Sequence, residues 1–315
     1  MKQLLIIIFW SVCATVTAAQ TDIHVARYMD DKVAAVSYTF DDGLQQQYTL
    51  LFPQLKKRNI KASFCVIGSK VGRDMKGNPC VTWQQLREMA HDGQEITSHG
   101  WAHRGVGGLS AEELRYEVQH NDTVIYNKVG VFPRTYFYPG NRKTDAATAF
   151  CSKDRVGTRT YQLSIGSKRD TLWLRHWIED LMEEGGWGVG MTHGITRGYD
   201  AFKDPRVLWS HLDYVCTLRD KLWIATFHDV AAYCKERDNI TLKIENHDKE
   251  TTVTPTMKLD SKIFNHPLTL VVMADTPITA KQDGKLLDVK IKGDKAIMDF
   301  NPNGGKVIIA SEYGK

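Results

Sequence analysis

Two hydrophobic patterns alternate between about residue 33 and residue 237 of the chain. VAAVSYTF (33–40), KASFCVIG (61–68), QEITSH (94–99), TYFYPG (135–140), RVGTRT (155–160), WGVGMTHG (187–194) and LWIAT (222–226) read as short strands. The first is a near-continuous apolar run, as expected of a strand buried on both faces. Between them lie segments with helical spacing: YTLLFPQLKKRN, TWQQLREMAHDG, SAEELRYEVQHNDTVIYNKVG, DAATAFCSK, TLWLRHWIEDLMEEGG, PRVLWSHLDYVCTLRD and HDVAAYCKERDN. Thr82 stands at a helix-capping position, and Ser110 with Glu113 three residues on forms a capping-box pattern. Gly93 and Gly130 mark helix ends. This βα repeat predicts an α/β fold with a parallel sheet or barrel and right-handed crossovers. Such folds keep their chemistry at the C-terminal ends of the strands.

Past Asn239 the pattern changes. Stretches such as LDVKIKG and KAIMDF carry alternating patterns, and DG, GD and NPNGG mark turns. All eight Trp and all six Cys precede this region. Residues 240–315 are therefore expected to form a small β-sandwich-like domain, either a packing module or a glycan-binding one. Residues 20–239 form the larger domain. The N-terminus, MKQLLIIIFWSVCATVTAAQ, has one Lys, a short apolar run and small residues ending at Ala19. Residues 1–19 read as a secretory signal peptide, too short for a comfortable membrane span. Residues beyond it contain no stretch apolar enough to cross a membrane, so the expected location is secreted, periplasmic or cell-envelope.

Charge and composition narrow the picture only a little. The net charge of +4 is small and no basic block is present, which argues against a nucleic-acid partner. Beyond Cys13, Cys65, Cys80, Cys151, Cys216 and Cys234 are odd in number, so at least one thiol cannot pair within the chain. Buried free thiols are the favoured reading.

Four polar clusters follow strands: TFDDG, SHGWAH, YPGN and MTHG. They should converge on one face. Adjacent Asp41 and Asp42 at a strand mouth either divide metal binding from proton transfer or cap the next helix. His99 and His103 are spaced i, i+4, which places two imidazoles on one side of a helical turn, able to share an ion. Two His and one carboxylate make an open divalent-metal site, with Asp42 as the third ligand. His193 sits at the end of the last strand of this series, with a pKa range suited to a general acid.

These residues in this order resemble the NodB-homology polysaccharide deacetylases, carbohydrate esterase family 4, over roughly residues 33–235. The resemblance implies a distorted (β/α) barrel of about seven strands. It implies a divalent ion, most often Zn²⁺ with Co²⁺, Ni²⁺ or Mn²⁺ as alternatives, on Asp42, His99 and His103. Asp41 would be the general base and His193 the general acid. A backbone N–H near Asn141 would hold the oxyanion, and Tyr138, Trp101 and Arg142 would contact substrate. The substrate class is an acetylated polysaccharide or oligosaccharide: peptidoglycan, chitin-like or xylan-like.

The chain departs from the family at one motif. Tyr138 stands before Pro139, where family members carry an Arg that orients the base, and Arg134 or Arg142 is the expected substitute. Asp170 is a candidate partner for the acid histidine, and Trp173 either walls the pocket or packs in the core. Two other functions compete with glycan deacetylation: a non-enzymatic glycan-binding protein on the same scaffold, and a metal hydrolase of a small non-sugar amide.

Overall fold

The computed structural model describes residues 22–247, 250–274 and 276–311. The expected signal peptide lies outside the described residues. Parallel strands form one curled sheet in the order Gly157–Arg159, Thr135–Phe137, Glu95–Ser98, Ser63–Val66, Ala34–Phe40, Trp187–Thr192, Leu163–Ser164. Leu222–Ile224 adds to the N-terminal half of Ala34–Phe40, and Ser63–Val66 pairs with its C-terminal end. Helices connect the strands and cover the outside of the sheet. The result is the distorted (β/α) barrel expected from the sequence.

Strand Ala34–Phe40 is buried throughout, which explains its near-continuous apolar run. Its even positions, Ala34, Val36, Tyr38 and Phe40, join the core beneath the helices together with Phe64, Val66 and Ile96. Its odd positions face the barrel interior, where their polar groups are satisfied. Ser37 donates to the Thr226 carbonyl at 3.2 Å and Thr39 to the Gly190 carbonyl at 3.1 Å. This period-two division decides which residues reach the site.

The capping boxes at Thr82 and Ser110 are both formed. The helix after Ser110 is not uniform. It runs as α over Ala111–Leu114, as π over Arg115–His120 and as α again over Asn121–Val129, closing at Gly130 with φ 91°. A π turn inserts one extra residue and rotates the side chains that follow.

The C-terminal region forms two antiparallel sheets around one apolar core that includes Val253, Leu270, Met298, Phe300 and Val307. Ile23–Val25, near the start of the described chain, pairs with Leu268–Met273 in one of these sheets. Tyr233, on the last helix (Phe227–Arg237), is buried in this core and donates to the Ala26 carbonyl at 2.9 Å. All five described cysteines are free thiols.

Candidate active site

The strand ends bring the acids and histidines together, each for a local reason. Asp41 continues the inward-facing series Ser37, Thr39, and its N–H donates to the Thr192 carbonyl at 3.0 Å. Simple alternation would turn Asp42 away. Instead Asp42 adopts φ 76° and Gly43 φ 71°, and this left-handed turn brings the second carboxylate back to the pocket. His99 follows the inward positions Glu95 and Thr97. His193 follows Thr192, which is in register with Phe40 on the neighbouring strand. The strand register thus sets His193 beside Asp41.

Asp42, His99 and His103 form one cluster. Asp42 Oδ1 lies 3.6 Å from His99 Nε2 and 3.6 Å from His103 Nε2. The two imidazole centres are 4.9 Å apart. Asp42 Oδ1 is buried with no hydrogen-bond partner. An orphaned carboxylate oxygen facing two imidazole nitrogens is the donor set of a divalent cation. His99 Nδ1 lies 2.8 Å from the Phe137 carbonyl, which can only accept. The Nδ1 proton is thereby fixed, and Nε2 presents its lone pair to Asp42's side of the pocket. Burial disfavours the imidazolium of His99 and lowers its pKa, which suits a ligand. These residues fit a metal.

Asp41 is held differently. Arg159 Nη1 donates to Asp41 Oδ1 at 2.8 Å and Nη2 to Oδ2 at 2.5 Å. Nη1 also reaches Thr39 Oγ1 at 2.7 Å, and the guanidinium lies over the Phe137 ring, 4.2 Å from its centre. The Cys65 thiol donates to Asp41 Oδ1 at 3.2 Å. Burial by itself would raise the Asp41 pKa, but the Arg159 charge and its two hydrogen bonds override it and hold the carboxyl well below the usual range. Gln47 donates to the Asp41 carbonyl at 2.6 Å and to the His193 carbonyl at 3.0 Å, tying the two strand ends together. His193 packs edge-on against Tyr199 at 4.9 Å, and its Nδ1 is buried without a partner.

Several expectations at the third motif do not hold. Tyr138 does not enter the pocket. It is an even-face residue of its strand, buried with Tyr136, Ala147 and Cys151 under the helices, and its hydroxyl donates to Thr158 at 3.0 Å. Arg134 donates to the Asp154 carbonyl at 2.9 Å and stacks on Phe132 at 4.9 Å, before its strand rather than after it. Arg142 is exposed, its stem against Gly105. Neither reaches Asp41; the guanidinium that does is that of Arg159. Asn141 closes a turn: its N–H donates to the Tyr138 carbonyl at 3.1 Å and its Oδ1 accepts from Gln162 at 2.9 Å. That N–H is committed to the turn rather than pointed at a substrate. Asp170 caps a helix through the Trp173 N–H at 2.8 Å, away from the acid role. Trp173 packs against the main core. Trp101 is half-buried beside the ligand loop, its ring 4.6 Å from His120 and 6.3 Å from Tyr116.

Sequence reasoning missed Arg159, Gln47 and Cys65 as site residues. Arg159 carried a usable signal: it stands next to last in the predicted strand RVGTRT, and strand ends are where the chemistry collects.

Residues 29–154 match the family described as Polysaccharide deacetylase. A gellan lyase of Bacillus sp is 25% identical over 306 residues, covering 84% of this chain and 12% of that protein. The peptidoglycan-N-acetylglucosamine deacetylase PgdA of Listeria monocytogenes is 31% identical over 101 residues, covering 32% of this chain and 20% of PgdA. The chain thus spans a fifth or less of the length of these two relatives. Among solved structures, a putative polysaccharide deacetylase from Mycobacterium smegmatis superposes with a TM-score of 0.53 at 16% identity, covering 67% of this chain and 93% of that one. Residues 29–154 thus resemble the polysaccharide deacetylase family, and the α/β domain has the barrel fold of the Mycobacterium smegmatis protein.

Proposed function

We propose that the chain is an exported, metal-dependent hydrolase that removes acetyl groups from a polysaccharide. The observation that carries this reading is the division of labour between the adjacent acids: Asp42 faces two imidazoles with an orphaned oxygen, while Asp41 is clamped by Arg159.

Asp42, His99 and His103 would hold the ion, Zn²⁺ first among the candidates. When bound, the ion supplies Lewis acidity to a water and to the acetyl carbonyl. The remaining work falls to the chain. Arg159 holds the Asp41 carboxyl well below the usual range, so it is ionised near neutral pH and can take the proton of the attacking water. Arg159 fixes both of its oxygens, so the base cannot rotate away. His193 gives a proton to the departing sugar nitrogen or oxygen. Gln47 keeps the backbones of base and acid at a fixed spacing. An amide and an ester make the same demands on this apparatus, so N-acetyl and O-acetyl glycans are both substrates of the proposed class. Peptidoglycan is supported by the likeness to PgdA.

The test is acetate release by the purified protein from peptidoglycan, chitin oligomers and acetylated xylan, beside a small acetyl ester and a non-sugar acetamide. Release from a glycan supports the reading. Glycan binding without release would transfer support to a binding protein, and release from the acetamide alone would transfer it to a small-amide hydrolase.

A further inference from the structure

His103 is the most weakly held member of the triad. Its side chain is 41% exposed, against 2% for His99 and 12% for Asp42. His99 is anchored through Nδ1 to the Phe137 carbonyl, whereas the His103 ring makes no hydrogen bond among the described residues and only faces Asp42 Oδ1 at 3.6 Å. Its backbone sits at φ 60°, a left-handed conformation uncommon outside glycine. Something must hold the loop in that shape.

The holding group is Glu117, which is buried to 1% exposure. Its Oε1 accepts from the Ala102 N–H at 3.0 Å and from the Arg104 N–H at 2.9 Å, the two residues that flank His103. Its Oε2 accepts from Ala102 at 3.2 Å, and its own carbonyl accepts the Trp101 N–H at 2.8 Å. Three N–H groups around His103, those of Trp101, Ala102 and Arg104, therefore end on one residue. Gly100 completes the fit: at φ 79°, a Cβ there would stand 2.5 Å from Glu117 Oε1. Glu117 lies within the π turn Arg115–His120. A one-residue insertion at this point reorients the helix surface, as π turns at functional sites commonly do.

We propose that Glu117 is a positioning residue for the metal centre, acting through the backbone of the ligand loop and not by touching the ion. This rests on the metal site under Proposed function. A carboxylate accepting two N–H groups at once fixes the dihedrals on both sides of His103. It thereby aims an otherwise exposed imidazole at the point where Asp42 Oδ1 and His99 Nε2 converge. Outer partners of this kind typically change metal affinity by about 10–100-fold when removed.

The test measures metal affinity, not turnover. Zn²⁺ and Co²⁺ dissociation constants are determined by competition with a chromophoric chelator on the full chain, for wild type, Glu117→Gln, Glu117→Asp and Glu112→Gln. Glu112 is exposed on the same helix and serves as the control. The expected result is about a tenfold or greater loss of affinity in Glu117→Gln, a smaller loss in Glu117→Asp, and no change in Glu112→Gln. Folded Glu117→Gln that binds both ions within twofold of wild type overturns the proposal and leaves the metal reading standing. Wild type that binds neither ion overturns both. Should Glu117→Gln not fold, amide hydrogen exchange on wild type decides: the Ala102 and Arg104 amides must be protected in the metal-free protein, and unprotected exchange at both overturns the proposal.

Discussion

Arg159 grips Asp41 by both carboxylate oxygens, at 2.8 and 2.5 Å, deep within the barrel. Both side chains are almost wholly buried. Two charges removed from water must satisfy one another, and here the geometry is bidentate. Replacing Arg159 with Met leaves the carboxylate buried and alone, at a cost of about 3–5 kcal/mol. Chemical denaturation should report that loss, together with acetate release reduced to background. Arg159→Lys should recover little of either, because an ammonium cannot meet both oxygens. The sign of the pH effect follows from the lowered pKa. The contribution of Asp41 to stability is present above the unfolded carboxyl value of about 3.9. It is lost as pH falls towards the folded value.

The ion should stabilise the fold measurably. A ligand present at 100 times its dissociation constant adds about 2.7 kcal/mol. Thermal unfolding with Zn²⁺ after chelator treatment should therefore show an upward shift for wild type. The same titration on Asp42→Ala should show none. An equal shift in the variant would mean that the ion binds elsewhere.

His211 gives the barrel a separate acid sensitivity. It is buried, 2.7 Å from the Tyr38 hydroxyl, and burial pushes its pKa down to about 4. The unfolded state, near 6.5, takes up the proton first. Stability from a neutral His211 is thus full above about pH 6.5 and is lost as pH falls towards 4, by up to about 3 kcal/mol. The difference in unfolding free energy between wild type and His211→Gln isolates this group. Its pH slope should be positive between 4 and 6.5 and flat above.

Much of the site was legible in the sequence. Strand-end clusters and the His99–His103 pair pointed to residues that the fold does bring together, Asp42, His99 and His103 around one point and Asp41 beside His193, although residues 99–103 form a loop with Gly100 at φ 79° and His103 at φ 60°, not the helical turn that the spacing suggested. The barrel and the following β region were equally legible, because buried parallel strands and alternating antiparallel ones leave different patterns. The third motif misled because position in a motif was weighed above strand period. Thr135 and Phe137 face inward, so Tyr138 must face the helices, and Arg159 occupies an inward position two residues after Gly157. The π turn that places Glu117 left no trace, since helix spacing differs by a single residue there.

Tyr138 gives a pointed test of that lesson. Introducing the family's Arg as Tyr138→Arg should not raise activity. It should destabilise the protein by several kcal/mol, because it buries a charge among Tyr136, Ala147 and Cys151. Equilibrium unfolding and acetate release measured on the same preparation would report both effects. A gain in turnover would show that Arg159 does not fill the role of the missing residue.

The most direct measurement compares wild type with Asp41→Asn at saturating Zn²⁺, reading bound metal and released acetate in parallel. The account predicts that Asp41→Asn keeps its metal and loses at least about 10²-fold in acetate release, as expected when a general base is removed. Acetate release at the wild-type rate from metal-loaded Asp41→Asn would contradict the assignment of Asp41 as base.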